Sequence, residues 1–145
     1  MDVMTREQRH KAMRSNRGRT GPERAFASLL WKQGFRFLTA EGYRTWFGKP
    51  LLGQPDLIFT RKKVLIFVDG CFWHGCRLCH DFRRDCSTPW QAKIQTNVRR
   101  DRRNVKKLAA QGWHVVRVWE HNVRRKDRML KTVKRISRLL RSRRR

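Results

Sequence analysis

At 145 residues the chain has the length of one domain with a sizeable core. Its 37 Lys and Arg against 11 Asp and Glu give a formal charge of +26, which points to a polyanionic partner, nucleic acid first and an anionic membrane surface second. No apolar run approaches the about 20 residues of a membrane span, the N-terminus MDVMTREQRHK lacks the apolar core of a signal peptide, and six Trp with eight Phe exclude a wholly disordered chain.

Residues 1–20 read as a basic arm with a short helix around Arg6–Arg14. A helix follows. Thr20 suits an N-cap, Pro22 the first turn, and Glu23 stands where a capping box places its acid. Ala25, Phe26, Leu29, Leu30 and Gln33 give the helical period, and Gly34 stops it. Glu23 shares a face with Phe26 and Leu30, so it either caps the helix or points inward. Phe35–Leu38 reads as a short strand. Ala40–Gly53, with Gly42, Gly48, Pro50 and Gly53, reads as a loop exposing Tyr43, Trp46 and Phe47.

Asp56–Thr60 and Val64–Val68 read as an antiparallel hairpin turned at Arg61–Lys63. Both strands are apolar nearly throughout, as in a sheet covered on both faces. With the turn centred on Lys62, Asp56 lies opposite Val68, and Asp56 and Asp69 reach the same end of the hairpin. Arg77–Pro89 is irregular. Trp90–Gln111 is a long helix closed by Gly112, with an apolar stripe of Ile94, Val98, Val105 and Leu108. Asp101 falls inside that stripe, either as part of a salt-bridged turn among its flanking arginines or as a functional carboxylate. Trp113–Trp119 reads as a strand reached by a helical crossover, hence parallel to Val64–Val68. Its carboxyl end carries Glu120 and His121. Asp127–Leu140 reads as a basic amphipathic helix with Met129, Leu130, Val133, Ile136 and Leu140 inward. A basic tail closes the chain, so the expected layout is arm 1–20, domain 21–142 and tail 143–145.

Two clusters carry chemistry. The absence of a leader predicts a cytosolic protein, in which Cys71, Cys76, Cys79 and Cys86 read as metal ligands rather than disulfides. Zinc takes four tetrahedral sulfur or nitrogen ligands. Cys71 and the Cys76–Cys79 pair supply three, and His80, His121 and Cys86 compete for the fourth. Glu23, Asp56, Asp69 and Asp101 can converge at one sheet end near His74. Carboxylates in so basic a protein repel the phosphates it binds unless a cation intervenes. Mg²⁺ suits them, since it takes oxygen ligands and bridges to phosphate, and a neighbouring histidine moves protons near neutral pH. Pro55-Asp56 resembles the first half of the PD-(D/E)XK nuclease signature. The second half is missing, because Gly70 and Cys71 rather than a lysine follow Asp69.

The runs GQPD, VDGCFWHGC, KIQTNVRRDRR and VVRVWEH together resemble the very-short-patch-repair (Vsr) family of DNA mismatch endonucleases, from Thr5 to His121. The resemblance implies an α/β fold, a PD-(D/E)XK-like mixed central sheet flanked by helices with a structural zinc. It also implies Mg²⁺-dependent cutting of one strand of double-stranded DNA 5′ to the thymine of a T:G mismatch. Residue by residue, it makes Asp56 the magnesium-binding aspartate, the Val68 main-chain carbonyl a second metal contact, His74 the catalytic histidine and Asp101 the second acidic residue, acting through metal-bound water or a hydrogen bond to His74. Glu23 matches an outer-shell glutamate. Asp69 stands where some members have histidine, which leaves it either a metal ligand or an orderer of water. Cys71, Cys76, Cys79 and His121 match the zinc ligands, with Cys79 preferred over His80. Phe72, Trp73 and Trp90 match aromatics inserted beside the mismatch, Lys93 and Asn97 look like base-edge readers, and Met13 matches a residue entering the minor groove. The expected protein is a cytoplasmic, nucleoid-associated monomer with mismatch-repair proteins as candidate partners.

Overall fold

A computed structural model describes residues 21–79 and 89–143. The expected arm, with Thr20 and Met13, and the alternative ligands His80 and Cys86 lie outside the described residues. Among the described residues, five helices and three strands follow in the order α1 (Gly21–Lys32), α2 (Ala40–Phe47), β1 (Leu57–Phe59), β2 (Val64–Asp69), α3 (Pro89–Ala110), β3 (His114–Trp119), α4 (His121–Arg124) and α5 (Lys126–Ser142). None of these helices is long and apolar enough to cross a membrane.

The sheet order is β1-β2-β3, with β1 antiparallel and β3 parallel to β2. Successive side chains of a strand point to opposite faces, and both faces of β2 are apolar. Val64 and Ile66 therefore enter one core with Phe26, Leu30, Val118, Val133 and Ile136, beneath α1 and α5. Leu65 and Phe67 enter a second with Tyr43, Leu51, Leu108 and Trp113, beneath α2 and α3. This two-sided cover is why the hairpin sequence lacks polar alternation.

The hairpin register differs by one residue from the expectation. Leu57 pairs with Ile66 and Phe59 with Val64, which extends to Asp56 opposite Phe67. The turn has four residues, since Thr60 leaves the strand, and the Lys63 N–H donates back to the Thr60 carbonyl at 3.3 Å with Lys63 left-handed at φ 53°. Lys62 Nζ donates to the Arg143 carbonyl and Arg143 Nε to the Lys62 carbonyl, at 2.7 and 3.0 Å. The turn is thereby tied to the end of α5.

Three further expectations are corrected. Ala40–Phe47 is a helix and not a loop. Thr39 Oγ1 accepts from the Gly42 N–H at 3.0 Å, and Gly48, left-handed at φ 71°, returns its N–H to Arg44. Tyr43 is buried under that helix, whereas Trp46 is 77% and Phe47 53% exposed. The Phe35–Leu38 strand reduces to one bridge, Leu38 with Ile58, because Thr39 at once caps α2. Leu130 is 49% exposed while Thr132 and Ser137 are buried. It stands roughly a quarter turn off the Met129–Val133–Ile136–Leu140 stripe.

Candidate active site and metal centre

Regular pairing of the hairpin ends at Asp56. Its N–H donates to the Ile66 carbonyl at 2.9 Å, and its Oδ2 accepts from the Val68 N–H at 2.7 Å. A side-chain carboxylate thus replaces the strand carbonyl that Val68 would meet one residue further on. The N–H and C=O of one strand residue face the same neighbour, so the Val68 carbonyl is directed to the Asp56 side of β2.

Asp69 ends β2 and is 3% exposed. Both its oxygens accept from Arg117, Oδ2 from Nε and Oδ1 from the second guanidinium nitrogen at 2.7 Å. Parallel pairing sets Arg117 beside Phe67 and Trp119 beside Asp69, so Arg117 and Asp69 are diagonal neighbours on one face. The guanidinium lies 4.8 Å from the Phe67 ring centroid. Arg117 is a site residue that sequence reasoning passes over. Its signal is a lone cation interrupting the apolar run WHVVRVW, on the face shared by Val115 and Trp119.

The loop after β2 brings His74 to α3. His74 Nδ1 lies 2.6 Å from Asp101 Oδ2 and 3.8 Å from Asp69 Oδ1. Asp101 does face inward along the α3 stripe, its side chain 14% exposed. Arg100 and Arg117 each approach it at 3.5 Å. Gly75 allows the loop this proximity, with φ +72° and a would-be Cβ only 3.0 Å from Val98 Cγ2. Asp69, His74, Asp101 and Arg117 line a cleft of about 1360 Å³, with Arg99 and Arg102 also on its wall. Glu23 is half-buried in the first turn of α1.

Beyond His74, Cys71, Cys76 and Cys79 meet His121 at the start of α4, all ligand atoms within 4.8 Å of one another. His121 Nδ1 lies 3.3, 3.6 and 3.3 Å from the three sulfurs in that order. Burial pushes the Cys71 thiol up to about 11, with the Cys79 and Cys76 sulfurs adding to the rise and a bond to His121 opposing it. Such crowding of thiols around one imidazole suits a cation that takes sulfur and nitrogen. Glu120 holds the loop from below, its Oε2 accepting from the Cys71 N–H at 3.4 Å and its N–H donating to the Asp69 carbonyl at 2.9 Å.

The aromatic candidates gather beside these groups. Phe72 and Trp73 are 39% and 43% exposed, edge to face at 5.2 Å, and Trp73 meets half-buried Trp90 at 5.7 Å. Lys93 Nζ lies 5.5 Å from the Trp73 ring centroid and 5.8 Å from that of Trp90. Asn97 Nδ2 donates to the Trp73 carbonyl at 3.1 Å.

The family model described as DNA mismatch endonuclease Vsr matches residues 1–81. The chain belongs to the Vsr family of DNA mismatch endonucleases. It is 35% identical over 131 residues to the DNA mismatch endonuclease Vsr of Escherichia coli (strain K12), covering 88% of this chain and 79% of that protein. It is also 40% identical over 117 residues to the type II nicking enzyme V.NaeI of Lentzea aerocolonigenes, covering 78% and 68%. Identity to V.NmeDIP of Neisseria meningitidis serogroup C, another type II nicking enzyme, is 38% over 130 residues, covering 85% and 80%. This Vsr-family chain is thus a DNA endonuclease on a mixed α/β fold, with a three-cysteine, one-histidine cluster able to hold a metal.

Proposed function

We propose that this chain is a Mg²⁺-dependent endonuclease that nicks one strand of duplex DNA 5′ to the thymine of a T:G mismatch, on a PD-(D/E)XK-like scaffold pinned by a structural Zn²⁺. The observation that carries the reading is the His74–Asp101 pair at 2.6 Å on the wall of a basic cleft, beside the exposed aromatics.

The donor sets fit the two cations differently. The Asp56 carboxylate and the Val68 carbonyl are hard oxygen donors directed to one side of β2, as Mg²⁺ requires. Three thiols and an imidazole nitrogen within 4.8 Å suit Zn²⁺ in a closed, non-catalytic site. When bound, Mg²⁺ supplies Lewis-acid stabilisation of the charge that develops on the scissile phosphate.

The chain's own residues supply the rest. A carboxylate only accepts hydrogen bonds, so Asp101 holds His74 with the proton on Nδ1 and leaves Nε2 for proton transfer. In hydrolysis the water–phosphorus bond forms as the phosphorus–oxygen bond to the leaving nucleotide breaks. His74 moves one proton, either from the attacking water or to the departing oxygen. Asp56 orients the metal site through its bond to Val68, and Glu23 serves as an outer carboxylate. Phe72, Trp73 and Trp90 act as the wedge that unstacks the mismatched step, a cost of a few kcal/mol that is least where pairing is already poor. Lys93 and Asn97 steady Trp73 and read base edges, and Met13 enters the minor groove. The names of the type II nicking enzymes favour a second reading, in which the same site nicks with another DNA preference.

Nicking is measured on T:G, fully matched and other mismatched duplexes, with and without Mg²⁺. The expected result is one Mg²⁺-dependent nick, confined to the T:G duplex, lost in Asp56→Ala with duplex binding largely retained. Undiminished cleavage by Asp56→Ala would sink the assignment, and equal nicking of matched DNA would leave the second reading in its place.

A further inference from the structure

Two carboxylates compete for one imidazole nitrogen in this site. Asp101 Oδ2 lies 2.6 Å and Asp69 Oδ1 3.8 Å from His74 Nδ1. Like charges this close repel, and a histidine that switched between them would not hold one orientation. Arg117 decides the competition. Its planar fork takes both oxygens of Asp69, the bidentate geometry an arginine matches best. The Phe67 ring, its centroid 4.8 Å from the guanidinium carbon, adds a cation–π contact that holds the fork in place. The same guanidinium stands 3.5 Å from Asp101 Oδ2, so its charge offsets both acids. Asp69 is 3% exposed, and a carboxylate so enclosed takes whatever cation is offered once its partner is gone.

We propose that Arg117 is a positioning residue, which ties down Asp69 and so keeps it from His74. Asp101 is then the one group that orients His74. The acid at position 69 is held by Arg117 and not by His74. This inference rests on the proton-transfer role of the His74–Asp101 pair given above and deepens it.

A double-mutant cycle tests it: Arg117→Leu, Asp69→Asn and the two combined, each assayed for nicking of the T:G duplex and for thermal melting. Arg117→Leu is expected to lower kcat by about 100-fold with KM within about threefold, because a freed Asp69 displaces His74. The combined variant, with neither charge, recovers at least about tenfold of that loss, and Arg117→Lys recovers part of it. A purely structural role would make the combined variant as poor as the worse single one, and that result overturns the proposal. So does an Arg117→Leu enzyme that nicks within about threefold of wild type. If Arg117→Leu does not fold, Arg117→Gln combined with Asp69→Asn keeps a neutral hydrogen-bonded pair. Nicking within about tenfold of wild type is then expected, and a loss as deep as that of His74→Ala overturns the inference. His74→Ala also separates the two readings. Full nicking by that variant removes the role of His74 itself, whereas an inactive His74→Ala beside an indifferent Arg117→Leu removes the Arg117 role alone.

Discussion

Gly75 shows how one residue sets the geometry of the site. It lies between His74 and Cys76, in a left-handed conformation, with Val98 Cγ2 3.0 Å from the place of a β-carbon. A side chain there meets two costs, the backbone strain of a left-handed residue and a collision with α3. Gly75→Ala is therefore expected to lose about 1–2 kcal/mol of stability from the backbone alone. It also moves the loop off α3, and with it His74 off Asp101, so nicking falls by about tenfold or more. Thermal melting and single-turnover nicking check this, and a variant that matches wild type in both means the loop is not set by that glycine. Asp101 was legible at this scale, because a carboxylate within an apolar helical stripe must find a partner. The partner network was not. Arg117 is far from Asp69 along the chain, and only the strand register puts them on one face.

Among the elements, the strands β2 and β3 and the helices α1, α3 and α5 were legible, since each carries an apolar pattern that only one element satisfies. The helix α2 was not. Gly42, Gly48, Pro50 and Gly53 make Ala40–Gly53 read as a loop, and what decides it is a cap at each end, Thr39 and Gly48, together with the cover Tyr43 gives the second core face. The β1–β2 register shifted by one residue because a left-handed Lys63 widened the turn, a conformation that glycine announces and a lysine does not. The cysteine loop has no regular secondary structure to hold it. Its links to the sheet run through Glu120 and through the meeting of Cys71, Cys76 and Cys79 with His121. Cys76→Ser, at a site 1% exposed, is expected to abolish zinc binding and cost on the order of 3 kcal/mol, about 10 °C in melting temperature. Metal analysis of pure wild-type protein should find one zinc per chain, and finding none refutes the site.

The charge of the whole molecule is distributed so that one part lies far from the chemistry. The face of α5 away from the core carries Arg128, Lys131, Lys134, Arg135, Arg138 and Arg141, none of them buried. The bonds between Lys62 and Arg143 fix its end at the hairpin turn, while β2 runs from that turn to Asp69 at the site. Six strand residues span roughly 20 Å, about the width of a duplex. Arg138 and Arg141, on the last turns of α5 next to Arg143, lie at about that distance and leave the reacting phosphate unaffected, because the screening length is about 8 Å at physiological ionic strength. They act on affinity by releasing counterions from neighbouring phosphates. Replacing Arg138 and Arg141 together by Gln is expected to weaken duplex binding equally for T:G and matched DNA. The slope of log K against log salt should flatten by roughly one for each phosphate that α5 no longer neutralises. Nicking at saturating enzyme should stay as in wild type. Binding isotherms at several salt concentrations measure the slope, and an unchanged slope means this face of α5 is merely solvated. A changed nicking rate at saturation means instead that the end of α5 reaches the site through the fold, because these two charges are too distant to reach it through space.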